Sequence, residues 1–325
     1  MRINVVRSGT FLVFGAIVGL VFIKVTHLLL GPVPPINGAR NKAYKAVNDP
    51  ELQIDVSQSR FLRKRDIRVL CYINTYPENY RKKAWHTHNT WARKCTTHFY
   101  TSTVEDPVIP ILKLNLTQPE TRDHLWSKMR NILKRIYQYV DQYDFFFKAD
   151  DDTYVVLENF LLVLEQYSPD DPFLMGFWYP SNTQGGYFSG GAGYVVSRAA
   201  LRKLVEEAID KHRYCPSFDE DKEDVKISRC GQAVGVKLYR HFDQNSKEVF
   251  NWLSLGELLG LSVLNIPRWL PQKISVEFPF VEKSMCIVSD EAATFHYITP
   301  GMQYIMEFIL YTLRPVGIVE NLECG

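Results

Sequence analysis

The chain has 325 residues, 46% of them hydrophobic, which is enough for one large folded domain or two small ones. Its formal net charge of +2 at pH 7 leaves no basic footprint, which argues against nucleic acid or an anionic membrane surface as a partner. The six cysteines are ambiguous by count, although a signal for the secretory pathway would make disulfide bonds the default interpretation.

The N-terminus is predicted to be a membrane anchor. The apolar run at residues 10–23 is short for the about 20 residues that a spanning helix needs, but it becomes long enough if Lys24 snorkels or faces a partner and the span reaches Leu30. A cleaved signal peptide is the alternative, and no convincing small-x-small cleavage site ends the run. Since arginines precede the run and none follows it closely, we predict a cytoplasmic tail at residues 1–8 and a type II transmembrane signal anchor at residues 9–30.

The next segment is predicted to be a stem. The sequence GPVPP at residues 31–35 would end any helix, and the chain from there to about Arg65 is polar with little periodicity. We therefore predict a stem at residues 31–65 that holds a folded domain, residues 66–325, away from the membrane.

Strands and helices are predicted to alternate at the start of this domain. An apolar strand at Ile67–Ile73 is followed by a turn at Asn74–Pro77 and a helix from about residue 81 to residue 93, which is the first unit of a nucleotide-binding α/β domain. Further strands are predicted at His98–Thr101 and Val108–Leu114. No G-x-G-x-x-G sequence or Walker loop appears, which argues against dinucleotide cofactors and ATP chemistry.

The same alternation continues through the middle of the chain. Asn115 begins an N-glycosylation sequon, which is consistent with a luminal domain but common by chance. Apolar residues recur at helical spacing from Glu120 to Gln142, which predicts the longest helix of the chain. An amphipathic helix at Leu157–Tyr167 and an apolar strand at Phe173–Trp178 are predicted to follow.

An aspartate triplet ends the most apolar strand. The run Phe145–Phe147 indicates a strand buried on both faces, and Asp150, Asp151 and Asp152 follow it. Three neighbouring carboxylates repel each other, which favours a cation or many donors opposite them. Since side chains alternate along a strand, the first and third carboxylates should face one side, as hard ligands for Mn²⁺ or Mg²⁺ at the carboxyl end of a strand. The alternative is that Asp152 or the threonine after it caps a helix that begins near Val156.

Three stretches of the second half carry further candidate residues. Five glycines within residues 185–193, followed by a strand and a helix at Arg198–Lys211, indicate a loop that lines a substrate pocket. The acidic run at Glu220–Val225 leads into a short helix, where acidic residues are also favourable for the helix dipole alone. His296, taken by itself, would more commonly be a core histidine than a ligand. The loop residues in question are Gly190, Gly191, Ala192 and Gly193.

These motifs together resemble the β1,3-glycosyltransferases of glycosyltransferase family 31, and within them the core-1 galactosyltransferases, or T-synthases. The resemblance is carried by KADDDTY at residues 148–154, by GGAGY at residues 190–194 and by FHY at residues 295–297, and it extends from about residue 67 to about residue 315. It implies an α/β fold of the GT-A type, a Rossmann-like mixed sheet flanked by helices, with an N-terminal transmembrane helix. It also implies a location in the Golgi membrane with the catalytic domain in the lumen.

The resemblance implies an activity and a role for each motif. The activity is an inverting, metal-dependent transfer of galactose from UDP-galactose to O3 of N-acetylgalactosamine linked to Ser or Thr of glycoproteins. Asp150 and Asp152, with His296, would hold Mn²⁺, since neutral imidazole is compatible with that metal. Asp224 would act as the general base that accepts the proton of the acceptor hydroxyl. The donor would be bound by Thr75, Asp150 and Asp151.

The resemblance also suggests how the cysteines pair. It implies the bonds Cys71 to Cys95 and Cys215 to Cys230, although sequence alone cannot fix the connectivity. Cys286 stands where the family usually has two adjacent cysteines. It and the cysteine at position 324 therefore lack assigned partners, and they could pair with each other or with another subunit of a homodimer.

Two alternatives to the galactosyltransferase hypothesis stay open. Residues 268–280 contain far fewer aromatic residues than the T-synthases have in that region, which leaves the acceptor open. The first alternative is therefore a β1,3-glycosyltransferase with another acceptor or another donor, such as UDP-N-acetylglucosamine. The second is a non-catalytic, chaperone-like paralogue, against which stands the presence of the triplet, the acidic pair and the histidine.

Overall fold

A seven-stranded mixed sheet forms the centre of the computed structural model, which describes residues 66–180, 185–260 and 288–314. In chain order, the strands are β1 (Val69–Asn74), β2 (Thr97–Ser102), β3 (Ile111–Lys113), β4 (Phe145–Asp150), β5 (Tyr154–Val155), β6 (Phe173–Gly176), β7 (Trp178–Tyr179), β8 (Tyr187–Phe188), β9 (Tyr194–Ser197), β10 (Lys237–Tyr239) and β11 (Thr294–Phe295). Across the large sheet the order is β10–β6–β9–β4–β1–β2–β3.

The direction of the strands places the ends of β1 and β4 side by side. Strand β1 pairs in parallel with β2 and with β4, whereas β9 runs antiparallel between β4 and β6. The register aligns Asn74, the last residue of β1, with Asp150, the last residue of β4. The alternating pattern predicted an α/β domain and the family resemblance implied a mixed sheet, and the structure confirms both.

Helices cover both faces of the sheet. They are α1 (Trp85–His88), α2 (Leu125–Ile136), α3 (Leu157–Leu164), α4 (Arg198–Lys203), α5 (Glu223–Ala233), α6 (Leu255–Leu258) and α7 (Pro300–Tyr311). The three phenylalanines of β4 contact residues on both faces of the sheet. Phe147 packs against Phe160 of α3, with the ring centroids 4.6 Å apart, and Phe146 belongs to the apolar cluster of the opposite face, with Trp126 of α2. A strand covered in this way must be apolar at every position.

Several helices are shorter than the sequence pattern predicts. The helix predicted from about residue 81 to residue 93 is a π-helical turn at Tyr80–Ala84, then α1, then a 3₁₀ turn at Ala92–Lys94. Its end has a local cause, because the side chains of Asn89 and Thr90 donate to the carbonyls of residues 85 and 86. Such side-chain hydrogen bonds to the backbone compete with a continuous helix.

The longest predicted helix, Glu120–Gln142, is reduced to α2 with a 3₁₀ turn at each end. Its predicted first residue lies outside the helix, and the carboxylate of Glu120 accepts hydrogen bonds from the hydroxyls of Ser102 and Thr103. The helix predicted at Arg198–Lys211 likewise ends as α4 at residue 203 and continues as a π-helical turn at Leu204–Ala208. Periodicity therefore identified the buried faces but not the helix ends.

Some predictions fall on residues outside those described. They are the tail, the anchor and the stem of residues 1–65, the aromatic-poor segment 268–280, Cys286 and Cys324. Within the described ranges, none of the helices combines the length and the apolar composition that a membrane crossing needs.

Candidate functional site

The aspartate triplet divides at the carboxyl end of β4 as the alternation of side chains predicts. Asp151 turns towards the end of β1, where it is buried and accepts hydrogen bonds from Thr75 Oγ1 at 2.8 Å and from Asn79 Nδ2 at 2.9 Å. Asp150 and Asp152 turn the other way, towards His296. Burial, reinforced by the neighbouring charge of Asp152, raises the pKa of Asp151 to about 6.

Asp150, Asp152 and His296 form a group that could hold a metal ion. One ligand atom from each side chain lies within 4.8 Å of the others, and all three residues are partly exposed. His296 Nε2 is 3.3 Å from an oxygen of Asp152, whose other oxygen accepts from Lys83 Nζ at 2.8 Å. Burial alone would raise the pKa of Asp152, but the hydrogen bonds and charges of His296 and Lys83 hold it well below its usual range. Two carboxylate oxygens and an imidazole nitrogen are a suitable donor set for a divalent ion such as Mn²⁺.

The helix-capping alternative for the triplet is wrong. Helix α3 begins after Val156, and no side chain makes a capping hydrogen bond to its first turn. The two candidate caps are engaged elsewhere. Asp152 pairs with Lys83, and the hydroxyl of Thr153 donates to the carbonyl of Gly191 at 2.9 Å.

His296 is fixed between the glycine-rich loop and an aromatic ring. It follows β11, whose Phe295 pairs with Tyr154 just after the triplet. On one side its ring stacks on Tyr297, with the centroids 3.7 Å apart. The ring also lies against Gly191, where a Cβ atom would come within 2.0 Å of the imidazole carbon Cε1. Only glycine at this position leaves room for the ring.

The other residues of the loop also pack against their own chain. Gly193 has a φ of +80°, which favours glycine, and a Cβ there would lie 2.5 Å from the ring of Phe147. Ala192 is fully buried and its backbone N–H donates to Ser189 Oγ at 3.3 Å. The sequence attributed these glycines to a pocket, and the structure shows that close packing against the chain also requires them, at Gly193 against β4, at Gly191 against His296 and at Gly190 against Glu223.

Asp224 lies in the first turn of α5 and faces the same cavity as the triplet. One of its oxygens accepts from the backbone N–H of Gly190 at 3.1 Å and the other from the N–H of Val225 at 2.8 Å. Burial raises the pKa of Asp224 above its usual range, although these two hydrogen bonds oppose the shift. A carboxylate with a raised pKa that faces a cavity is suited to accepting a proton.

The cavity has a volume of about 670 Å³ and its walls differ in character. At one end it is polar and includes Thr75 and Lys83. At the other end it is aromatic, with Tyr179 and Trp252 in edge contact at 5.8 Å between ring centroids and Tyr187 beside them. Polar groups can form hydrogen bonds with a ligand, and aromatic rings can pack on its apolar surface.

Several residues of this cavity were missed by the sequence analysis. Asn79 and Lys83 lie on a 3₁₀ and a π-helical turn, which carry no periodic signal. Tyr179 and Tyr187 come together only through the pairing of β7 with β8. The position of Lys148 could have been predicted from the sequence. It lies inside an apolar strand two residues before Asp150, so the two side chains must lie on the same side of the strand.

The described cysteines are all in disulfide bonds. Cys71 of β1 is joined to Cys95, and Cys215 is joined to Cys230 of α5. The resemblance implied these two pairs. The second bond ties the helix that carries Asp224 to the loop before it. Asn115, the candidate for glycosylation, is exposed.

Comparisons with known proteins identify relatives of the chain. The family model described as Fringe-like matches residues 68–244. The chain is 34% identical over 289 residues to glycoprotein-N-acetylgalactosamine 3-beta-galactosyltransferase 1 of Xenopus laevis, covering 85% of this chain and 78% of that protein. It is 26% identical over 151 residues to beta-1,3-glucosyltransferase of Mus musculus, covering 45% of this chain and 29% of that protein.

Among solved structures, the fold is similar to a glycosyltransferase involved in glycosylation of the major capsid of PBCV-1. The TM-score is 0.41 with 12% sequence identity, covering 75% of this chain and all of the other.

Proposed function

Because the chain belongs to the Fringe-like family of glycosyltransferases, we propose that it transfers galactose from UDP-galactose to O3 of N-acetylgalactosamine on Ser or Thr of glycoproteins. The similarity to the Xenopus galactosyltransferase over most of both chains supports this donor and this acceptor. The structural observation that carries the proposal is that the triad of Asp150, Asp152 and His296 shares one cavity with Asp224. We also assign the domain to the GT-A type.

The triad is the proposed site of Mn²⁺. Asp150 and Asp152 would supply carboxylate oxygens and His296 an imidazole nitrogen. When bound, Mn²⁺ supplies positive charge that stabilises the diphosphate of UDP as it leaves. Thr75 and Asp151, at the polar end of the cavity, would bind the donor beside this triad.

Asp224 is the proposed general base. Its carboxylate takes the proton of the O3 hydroxyl while the oxygen attacks the anomeric carbon of galactose. The new glycosidic bond forms as the bond from the anomeric carbon to the diphosphate oxygen breaks, and UDP leaves with that electron pair. A single displacement of this kind inverts the anomeric centre and needs no covalent intermediate on the protein.

The aromatic end of the cavity is the proposed acceptor wall. Tyr179, Tyr187 and Trp252 could pack on the apolar face of a sugar ring, and Tyr187 is close enough to Asp224 for that carboxylate to contribute, after burial, to raising the pKa of Tyr187 to about 12. These residues come from β7, β8 and the chain before α6. None of the three belongs to the aromatic-poor segment 268–280.

We extend the proposal to location and assembly. Residues 9–30 would anchor the protein in the Golgi membrane with its domain in the lumen, where the two disulfide bonds would be stable. We also propose that two copies of the protein form a homodimer.

The experiment that tests the function is a transfer assay with the full chain purified in detergent. UDP-galactose and UDP-N-acetylglucosamine are offered separately, with Mn²⁺ and a GalNAc-α-Thr peptide. Transfer from UDP-galactose that EDTA abolishes is the expected result. If neither donor supports transfer although UDP binds in an Mn²⁺-dependent manner, the proposed acceptor is wrong. Absence of UDP binding in a folded sample would instead favour the non-catalytic paralogue.

Replacing Gly191 by alanine is expected to weaken Mn²⁺ binding. The added methyl group would lie 2.0 Å from the imidazole of His296, whose ring also stacks on Tyr297 with the centroids 3.7 Å apart, so the ring must shift from its place. Changes to groups that support a metal ligand cost on the order of 10- to 100-fold in affinity. Calorimetric titration with Mn²⁺ and UDP measures the effect.

The matched control for this variant is Gly301→Ala. A Cβ atom at Gly301, in the first turn of α7, meets no atom within 4 Å, so the affinity for Mn²⁺ should not change. Equal affinities of the two variants would show that His296 is not a ligand or that its ring is free to move.

A further inference from the structure

The buried side chain of Lys148 connects the metal triad to the helix that carries the proposed base. Lys148 is on β4 and its side chain is only 2% exposed. Its ammonium group donates to Asp150 at 2.7 Å and to the carbonyl of Gly190 at 2.9 Å, and it lies 3.2 Å from a carboxylate oxygen of Glu223. An ammonium has three protons, so these three acceptors can use all of them.

The three acceptors belong to three different parts of the site. Asp150 is one of the candidate metal ligands, Gly190 belongs to the glycine-rich loop, and Glu223 is the first residue of α5. The N–H of Gly190 donates in turn to Asp224 at 3.1 Å. Lys148 therefore reaches the base by two routes, through the loop and through the first turn of its helix.

Glu223 has no role in the proposed reaction except through these contacts. It is buried, and its second carboxylate oxygen accepts from the hydroxyl of Tyr194 at 2.9 Å. Tyr194 is the register partner of Lys148 on the adjacent strand β9, so the pairing of the two strands fixes both partners of Glu223. A buried carboxylate with two such partners cannot move without leaving a charge unpaired.

We propose that Lys148 is a positioning residue, which through Glu223 and Gly190 holds Asp224 at a fixed place relative to the metal triad. Lys148 lines the cavity, but its three ammonium protons are taken by Asp150, Gly190 and Glu223, which leaves none for a substrate. The proposal rests on the proposed function, in which Asp224 is the base. Its consequence is that the two halves of the site, which lie on β4 and α5, are kept in register by one side chain.

The test is the variant Lys148→Met, measured in the full chain. Misplacement of a catalytic group by about 1 Å costs roughly 100-fold in rate, and we expect a fall in kcat of that order. Because Lys148 also donates to Asp150, the affinity for Mn²⁺ and UDP should fall by no more than about 10- to 100-fold, so kcat is measured at saturating Mn²⁺ and UDP-galactose. A kcat under these conditions within about threefold of the wild type would overturn the proposal.

The double variant Lys148→Met/Glu223→Gln makes the test specific. If both residues act through their contact, the double variant should lose no more kcat than Lys148→Met alone. Losses that multiply would show that the two residues act separately. Glu223→Gln alone keeps an acceptor for Tyr194, and its loss of a charged hydrogen bond predicts about a tenfold lower kcat. This single variant still decides the question if Lys148→Met does not fold, since an unchanged kcat would refute the role of the contact.

A second buried lysine on α5 provides the matched control. Lys226 is 0% exposed and pairs with Glu220 and the carbonyl of Phe218, away from the triad. Lys226→Met should lower the melting temperature but leave kcat within about threefold. If it lowers kcat as much as Lys148→Met does, anchoring of the helix alone explains the effect and the proposal is wrong. A wild type that transfers no galactose would refute the proposed function instead.

Discussion

Asp152→Ala is expected to abolish both galactose transfer and Mn²⁺-dependent UDP binding. Asp152 contributes one of the three ligand atoms of the triad, and its other oxygen contacts Lys83. Changing a residue that only supports a metal ligand lowers the metal affinity by up to about 100-fold, so removing a ligand itself should lower it by more than that. Transfer is measured with UDP-galactose, and UDP binding is measured by calorimetry with and without Mn²⁺.

The same variant should still fold. Removing Asp152 relieves a like-charge contact that contributes, after burial, to the raised pKa of Asp151. Asp144→Ala is a suitable control at the opposite end of the same strand, since it removes ion pairs with Arg68 and Arg198 but no ligand. The control should lose stability and keep UDP binding. Metal-dependent UDP binding that survives in Asp152→Ala would refute the metal site.

The local sequence pattern was sufficient to predict that the carboxylates of the triplet point to two different sides of the chain. An apolar strand fixes the alternation of side chains, and alternation alone separates Asp151 from Asp150 and Asp152. The sequence also marked the glycine loop and the acidic turn of α5 as parts of a site. These features depend on neighbours in the chain, which is why they could be predicted from it.

Contacts between distant residues could not be predicted in this way. Lys83 reaches Asp152 across 69 positions of the chain, and Asn79 reaches Asp151 across 72. The close fit of Gly191 against His296 joins residues that are even farther apart in the chain. Such contacts follow from sheet order and register, which the periodicity of one segment does not contain.

The helix ends were missed for a different reason. Hydrophobic periodicity reports which face of a segment is buried, and apolar residues of the predicted helix such as Met129, Ile132 and Leu133 are indeed buried in α2. Where a helix stops depends on hydrogen bonds such as those of Thr90 and Glu120, which replace helical ones. The sequence therefore predicted the layers of the fold better than the lengths of its elements.

Asp224→Asn is expected to remove turnover and to spare UDP binding. Asparagine keeps the shape of the side chain and an oxygen that can accept from Gly190, but it cannot take up the proton of the acceptor hydroxyl. Loss of a general base costs about 10²- to 10⁴-fold in rate. The measurements are kcat for galactose transfer and calorimetric UDP binding in the presence of Mn²⁺.

The pH dependence gives this prediction a second measurement. The base works only when deprotonated, and burial raises the pKa of Asp224, so the wild-type rate should fall with decreasing pH at a higher pH than an ordinary aspartate would produce. The residual rate of Asp224→Asn should lack that fall. Asp170→Asn is the control, because this exposed carboxylate pairs with Arg198 at 2.9 Å outside the cavity, and its loss should leave the profile intact. Near-normal turnover in Asp224→Asn would assign the proton transfer to another group. So would a rate of this variant that still falls with decreasing pH as the wild-type rate does.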